Sequence, residues 1–336
     1  MEQKTPKKTW WRWGFHRWIL LLLIIGNFLA ARAFPPVAPH VQLPAEHLTH
    51  EPLFTLPVIG DFYLTNTIVA MFLADLILLV IGFIFYLSVR RGSLVPKGFS
   101  GAIEALLDVI YNLTESTAGK WAKVFFPWFA TITLLVLVAN WMELFPGIDS
   151  IGILHPSEEG YEIQDLGFAD TIIKPTTDTA ETAIESEGQL YELVPYVRVV
   201  STDLNFTLAL ALIAVVMVQV IGFRAQRWGY LTKFWNVKTI FSKPIFGVID
   251  FAVGILELVS EFSKVLSFTF RLFGNIFAGS VLLFVIGALV PVFAQSGVLM
   301  LEFFVGVIQA VVFGLLTMTF MSQATVGHGS HEEDHA

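Results

Sequence analysis

From Ile245 to Val290 the chain runs for 46 residues with apolar side chains at most positions. An upright helix needs about 20 such residues to cross the hydrocarbon core of a bilayer. A run this long calls for tilt or an interfacial portion. Further apolar stretches cover Phe62 to Leu87, Phe125 to Phe145, Asp203 to Phe223 and Val298 to Met321. Backbone groups in lipid find no water to bond, and a helix satisfies them within its own segment. The first reading is therefore a polytopic, all-α membrane protein.

Composition agrees and removes whole classes of chemistry. Hydrophobic residues make up 55% and charged ones 14% of the 336 residues, where a soluble domain carries about a quarter charged. Mean hydropathy is +0.69. Cysteine is absent, which excludes disulfides, thiolate metal sites and thiol catalysis. The net charge of −8 argues against a nucleic-acid partner. No histidine lies within the five long spans and no Gly-rich phosphate loop occurs. A membrane-embedded hydrolase and ATP chemistry on this chain are both disfavoured. His40, His47 and His50 are irregularly spaced on a Pro-rich stretch and point to no metal site. No cofactor is expected.

The polar segments set the organisation. Residues 1–33 read as a secretory signal or an extra N-terminal helix: basic Lys4, Lys7, Lys8, Arg12 and Arg17, then an apolar run, then Ala31-Arg32-Ala33. Residues 34–61 read as an extracytoplasmic segment, 62–322 as the membrane domain, and 323–336 as a cytoplasmic tail. Ser100 to Ala118 reads as an amphipathic helix, with Ile103, Leu106, Leu107, Ile110 and Leu113 near one face. Residues 146–202 hold eleven acidic and two basic side chains and read as an extracytoplasmic loop with no periodic core. Lys and Arg counts in successive connections run five, none, five, two, five, none. The positive-inside rule then places the basic connections, and by alternation the C-terminus, in the cytoplasm.

The intramembrane charges are the most informative residues. Glu257, Glu261, Lys264, Arg271 and Asn275 fall on one stripe of a helix otherwise made of Phe, Leu, Ile and Val. Glu257, Glu261 and Lys264 can pair with one another at i,i+3 and i,i+4 spacing. Arg271 lies deeper and has no acid at i±3 or i±4. Its guanidinium stays charged in a protein, and burying it costs roughly 3 to more than 10 kcal/mol. It needs a partner. One choice is a static ion pair with Asp75, Glu143 or Glu302. The other is a group on a different subunit, fixed or moving.

The segment Ser267-Phe-Thr-Phe-Arg271-Leu-Phe-Gly-Asn275-Ile-Phe-Ala-Gly279 closely resembles subunit a of F-type ATP synthases. Supporting matches follow the family's order: Asn140-Trp-Met-Glu143-Leu-Phe-Pro146, Thr202-Asp203-Leu-Asn205-Phe-Thr207-Leu-Ala, and Gln309-Ala310. The likeness covers about residues 60 to 322. It implies five membrane helices, the last two long and tilted as a hairpin. It implies a non-catalytic channel subunit of a bacterial plasma membrane. The implied partners are a ring of c subunits, the b-subunit peripheral stalk and the other ATP synthase subunits. Protons would reach the ring's carboxylic acids through one half-channel and leave through another.

Residue by residue, Arg271 matches the family's essential arginine, a fixed cation that keeps a passing ring carboxylate ionised. Asn275 and Gln309 match positions facing the ring and channel, or otherwise bond between helices. Glu257 and Ser267 match polar positions of the exit side. Asn140, Glu143, Asp203 and Asn205 fall at the outer ends of their spans, where the entry path lies. One departure stands out: many bacterial members have Glu where this chain has Ser280, and His where it has Glu302. The expectation is that Glu302 relays protons alone, with Ser280 or water beside it. A sodium-coupled version of the subunit and a secondary transporter remain alternatives. The transporter would want two similar halves, and no internal repeat is visible.

Overall fold

The computed structural model describes residues 13–33, 44–49, 51–57, 60–90, 98–145, 147–161, 163–165, 170–172, 190–234, 244–290 and 293–326. Their order is α1 (Trp13–Ala33), β1 (Phe54–Leu56), β2 (Gly60–Phe62), α2 (Asn66–Arg90), α3 (Phe99–Ala118), α4 (Ala122–Trp141), β3 (Gly152–Tyr161), β4 (Ile163–Asp165), β5 (Asp170–Ile172), β6 (Tyr191–Pro195), α5 (Leu204–Gln226), α6 (Pro244–Leu289) and α7 (Phe293–Thr325), with short 3-10 turns between them. His40, His50, Pro146, Pro291, Thr176 to Thr182 and the tail histidines His328, His331 and His335 lie outside the described residues.

Five helical stretches among the described residues are long and apolar enough to cross a membrane. They are Asn66–Arg90, Phe99–Leu144, Leu204–Tyr230, Phe251–Gly287 and Ala294–Thr325. The helix-rich membrane fold thus matches the sequence reading, with shifts at the ends. Phe62 does not open the first span. It closes a hairpin, pairing with Phe54 in register and stacking on its ring at 4.6 Å. The span begins at Asn66, where the Thr65 hydroxyl accepts the Ile68 N–H at 3.4 Å, as helix caps do. The final helix runs to Thr325 rather than ending near 322. Strands β3 to β6 fall within the loop expected to be irregular.

The chain divides into two units. The larger comprises Gln42–Ile153, Val194–Ser280 and Glu302–Ala336. Its core brings together Ile132 and Val136 of α4, Leu210 and Ala214 of α5, Phe268, Leu272 and Ile276 of α6, and Ala310 and Phe313 of α7. In lipid such helices are held by close packing rather than by expulsion of water. Gly314 on α7 shows how close: a Cβ there would overlap the Thr133 hydroxyl and the Phe129 ring of α4. α3 folds back on α4 through Gly119, whose φ of +50° suits a residue without Cβ. Ile110, Thr114 and Ala118 are its buried residues, while Leu106 faces outward at 40% exposure, so the buried face is rotated from the expected one. α2 exposes Phe72, Leu76, Leu79 and Phe83, an apolar surface suited to lipid. At the other end Gln226 donates to the carbonyls of Ala324 and Val326, each at 2.9 Å, satisfying the last turn of α7.

The smaller unit comprises Met1–Val41, Leu154–Leu193 and Val281–Leu301. Helix α1 exposes its described apolar side chains from Trp18 to Leu29. β4 and β5 pair antiparallel, with Ile163 opposite Ile172.

Candidate functional site

The end of α4, the start of α5, the last third of α6 and the first third of α7 converge in the larger unit on a group of buried polar side chains. Glu143, Ser280 and Glu302 are 6%, 8% and 5% exposed. The Ser280 hydroxyl donates to Glu143 Oε1. Glu302 lies against the backbone of Gly279, where a Cβ would overlap its carboxylate. Its charge is felt at Glu143, as is that of Asp149. Ser280 therefore bonds Glu143 rather than Glu302, and Glu302 does not stand alone: the acid expected to relay protons by itself has a second acid beside it.

Asn140 sits one turn back along α4 and is locked on both sides. It accepts from the Ser201 hydroxyl at 2.6 Å and donates to the Gly306 carbonyl at 3.4 Å. Next to it, the Trp141 indole stacks on Phe303 at 4.8 Å. Asp203 uses both carboxylate oxygens. Oδ1 accepts the Asn205 N–H at 2.8 Å, capping α5, and Oδ2 accepts from Thr67 of α2 at 2.9 Å. The Asn205 side chain is exposed. Beyond the span ends, burial raises the Asp149 carboxyl from its ordinary 3.8 to about 6, against the lowering pull of Arg198. Arg198 in turn donates to the Pro44 carbonyl at 3.2 Å.

Arg271 stands apart from this group. It is half-buried, and its Nη2 donates to Ser267 Oγ, one turn away, at 3.4 Å. No carboxylate among the described residues lies within 4.0 Å of it, so the static pairs with Asp75, Glu143 or Glu302 are not formed. Ser267 and Asn275, at i−4 and i+4 from Arg271, are exposed on the same side of α6. Gln309 on α7 is 7% exposed, with no side-chain hydrogen bond among the described residues. Glu257 is half-buried and electrostatically close to Tyr230. The expected pairing near it is formed by Glu261 and Lys264, at 2.8 Å.

Sequence reasoning missed Ser201, Thr67 and the glycines that make room. Ser201 and Thr67 flank or face recognisable polar motifs, and that proximity was their signal. Gly279 closes the segment that carries the resemblance but was given no packing role, and Gly306 carries no signal that a single chain reveals. Among the described residues no group of three or more His, Asp or Glu is placed to hold a metal ion.

Residues 68–322 match the family model described as ATP synthase A chain. The ATP synthase subunit a of Gloeobacter violaceus is 29% identical over 313 residues, covering 93% of this chain and 99% of the relative. That of Campylobacter jejuni is 27% identical over 270 residues, 80% of this chain and 94% of the relative. The sodium ion specific ATP synthase subunit a of Propionigenium modestum is 25% identical over 304 residues, 89% of this chain and 88% of the relative.

Proposed function

The chain belongs to the ATP synthase A chain family, and from that premise we propose that it is the stationary proton channel beside a rotating ring of c subunits. The observation that carries the proposal is Arg271: a permanent cation in a membrane helix, half-buried, with no carboxylate partner among the described residues. Such a charge calls for a counter-charge from beyond the described residues. A carboxylic acid on each ring subunit supplies it in turn. Opposite Arg271 the ionised form of that acid is favoured, so it releases its proton there. Arg271 neither gives nor takes a proton near neutral pH, so it also blocks a direct leak between entry and exit.

The entry path runs along Asn140, Glu143, Ser280 and Glu302. The Ser280 hydroxyl bonds the Glu143 carboxyl, the charge of Glu302 is felt at that same carboxyl, and two acids so placed can pass a proton between them. Asp203 holds the wall of this path by capping α5 through the Asn205 N–H and by accepting from Thr67 of α2. Asn275 and Gln309 face the ring side, and Ser267 and Glu257 line the exit toward the cytoplasm. The C-terminus is cytoplasmic, in the plasma membrane of a bacterium. The b-subunit stalk and the other synthase subunits complete the assembly, and ATP chemistry belongs to them. Each charge crossing 100 mV yields about 2.3 kcal/mol, so several are needed per ATP and this chain directs their path.

The test is ATP-driven proton pumping by inverted vesicles carrying the complete complex, in sodium-free buffer. Wild type should acidify the lumen, and Arg271→Ala should abolish pumping while the complex still assembles. Undiminished pumping by Arg271→Ala would overturn the mechanism. The sodium ion specific relative motivates a second reading, in which sodium replaces the proton. It predicts that pumping requires added sodium.

A further inference from the structure

On the half of α6 that precedes Arg271, a polar network ties together α5, α6, α7 and the turn Arg227–Lys233. The Tyr230 ring packs on Gly222, where a Cβ would overlap it. Its hydroxyl donates to Gln219 Oε1 at 2.7 Å. The Gln219 amide donates to Glu261 Oε2 at 2.8 Å. Glu261 Oε1 accepts from Lys264 Nζ at 2.8 Å, and that ammonium lies over the Phe320 ring at 4.8 Å. Glu257 also faces Tyr230 electrostatically. The Glu261 and Lys264 side chains are 10% and 17% exposed, so the pair is poorly screened by solvent.

Lys264 is seven residues from Arg271, about 20° away around the helix and roughly 10 Å along it. Ser267, which accepts from Arg271, lies between them. A proton leaving the carboxylate opposite Arg271 along this stripe passes Ser267 and then Lys264. A bare ammonium there would repel it. We infer that Glu261 is the charge-compensating partner of Lys264, and that its carboxylate keeps the exit path passable to protons while Gln219 and Tyr230 hold it in place.

This rests on the channel reading, with the exit on the Lys264 side. At an effective dielectric of about 20, an unpaired charge roughly 10 Å away changes a rate by on the order of tenfold. The experiment uses inverted vesicles with the complete complex and measures initial rates of ATP-driven lumen acidification per assembled complex. Glu261→Gln keeps the shape of the side chain and removes its charge. It should pump about tenfold more slowly than wild type. Glu261→Gln combined with Lys264→Gln removes both charges and should recover most of the wild-type rate. A purely structural pair would show the opposite order, the double variant being no better than the single one, and that result overturns the inference. A Glu261→Gln rate equal to wild type overturns it as well. Failure of the wild type to pump would instead overturn the channel reading on which it rests.

Discussion

The hydroxyl of Ser280 on α6 donates to the carboxylate of Glu143, in the turn that follows α4, and the charge of Glu302 on α7 is felt at that same carboxylate. The serine thus orients one acid of an adjacent pair. Ser280→Ala should leave assembly intact and slow ATP-driven pumping by roughly three- to twentyfold, since hydrogen bonds between membrane helices contribute about 0.6 to 1.7 kcal/mol. Ser280→Thr, which keeps the hydroxyl, should retain most of the rate. Equal rates for all three proteins would remove Ser280 from the path.

Gly279 sets how closely Glu302 approaches α6. A Cβ at this position would overlap the Glu302 carboxylate. Gly279→Ala should displace Glu302, weaken α6–α7 packing by about 1–3 kcal/mol, and lower both thermal stability and pumping. Thermal unfolding of the purified complex, read beside vesicle pumping, checks this. Unchanged values in both would mean that the site relaxes around the methyl group.

Much of this arrangement could be read from residue order. The five spans followed from run lengths, and the lack of an acid one turn from Arg271 was plain from residue order, but a pair with Asp75, Glu143 or Glu302 stayed open until the other helices were placed. Glu261 and Lys264 were legible as an i,i+3 pair because the helix alone fixes their distance. The Ser280–Glu143 bond was not, because its partners are 137 residues apart. Helical periodicity assigns a face but not the helix that packs on it. Phe62 was misplaced for a related reason: an apolar residue before a span looks like part of it. Its stacking on Phe54 depends on a hairpin that the apolar pattern does not mark. Leu106 shows the limit of amphipathic patterning, since a helix at a lipid boundary can leave a leucine outward without penalty.

Asp149 gives the protein a pH dependence outside the membrane. Burial lifts its carboxyl from the ordinary 3.8 to about 6. Between these values the folded state holds more proton than the unfolded one, so stability falls as pH rises from about 4 to about 6, then levels off. The loss is on the order of 2 kcal/mol, smaller where water reaches the group. Asp149→Asn should abolish this part of the slope and be the more stable protein at pH 7. Unfolding midpoints at pH 4, 5, 6 and 7 for both proteins decide it. A wild type whose stability rises over this window by Asp149's own contribution would contradict the assignment.

Asp203 separates holding the channel wall from carrying protons. Its Oδ1 caps α5 through the Asn205 N–H, and its Oδ2 accepts from Thr67 on α2. Asparagine can supply one oxygen to either bond and caps helices about as well as aspartate. It cannot relay a proton as a carboxylate does. Asp203→Ala should cost about 1–2 kcal/mol for the cap, plus the bond to Thr67, and reduce the amount of assembled complex. Asp203→Asn should assemble at near wild-type levels and pump at a near wild-type rate per complex. If Asp203→Asn assembles fully yet pumps several-fold more slowly, the carboxylate itself takes part in proton transfer. The entry path would then extend from Asn140 through Ser201 to Asp203.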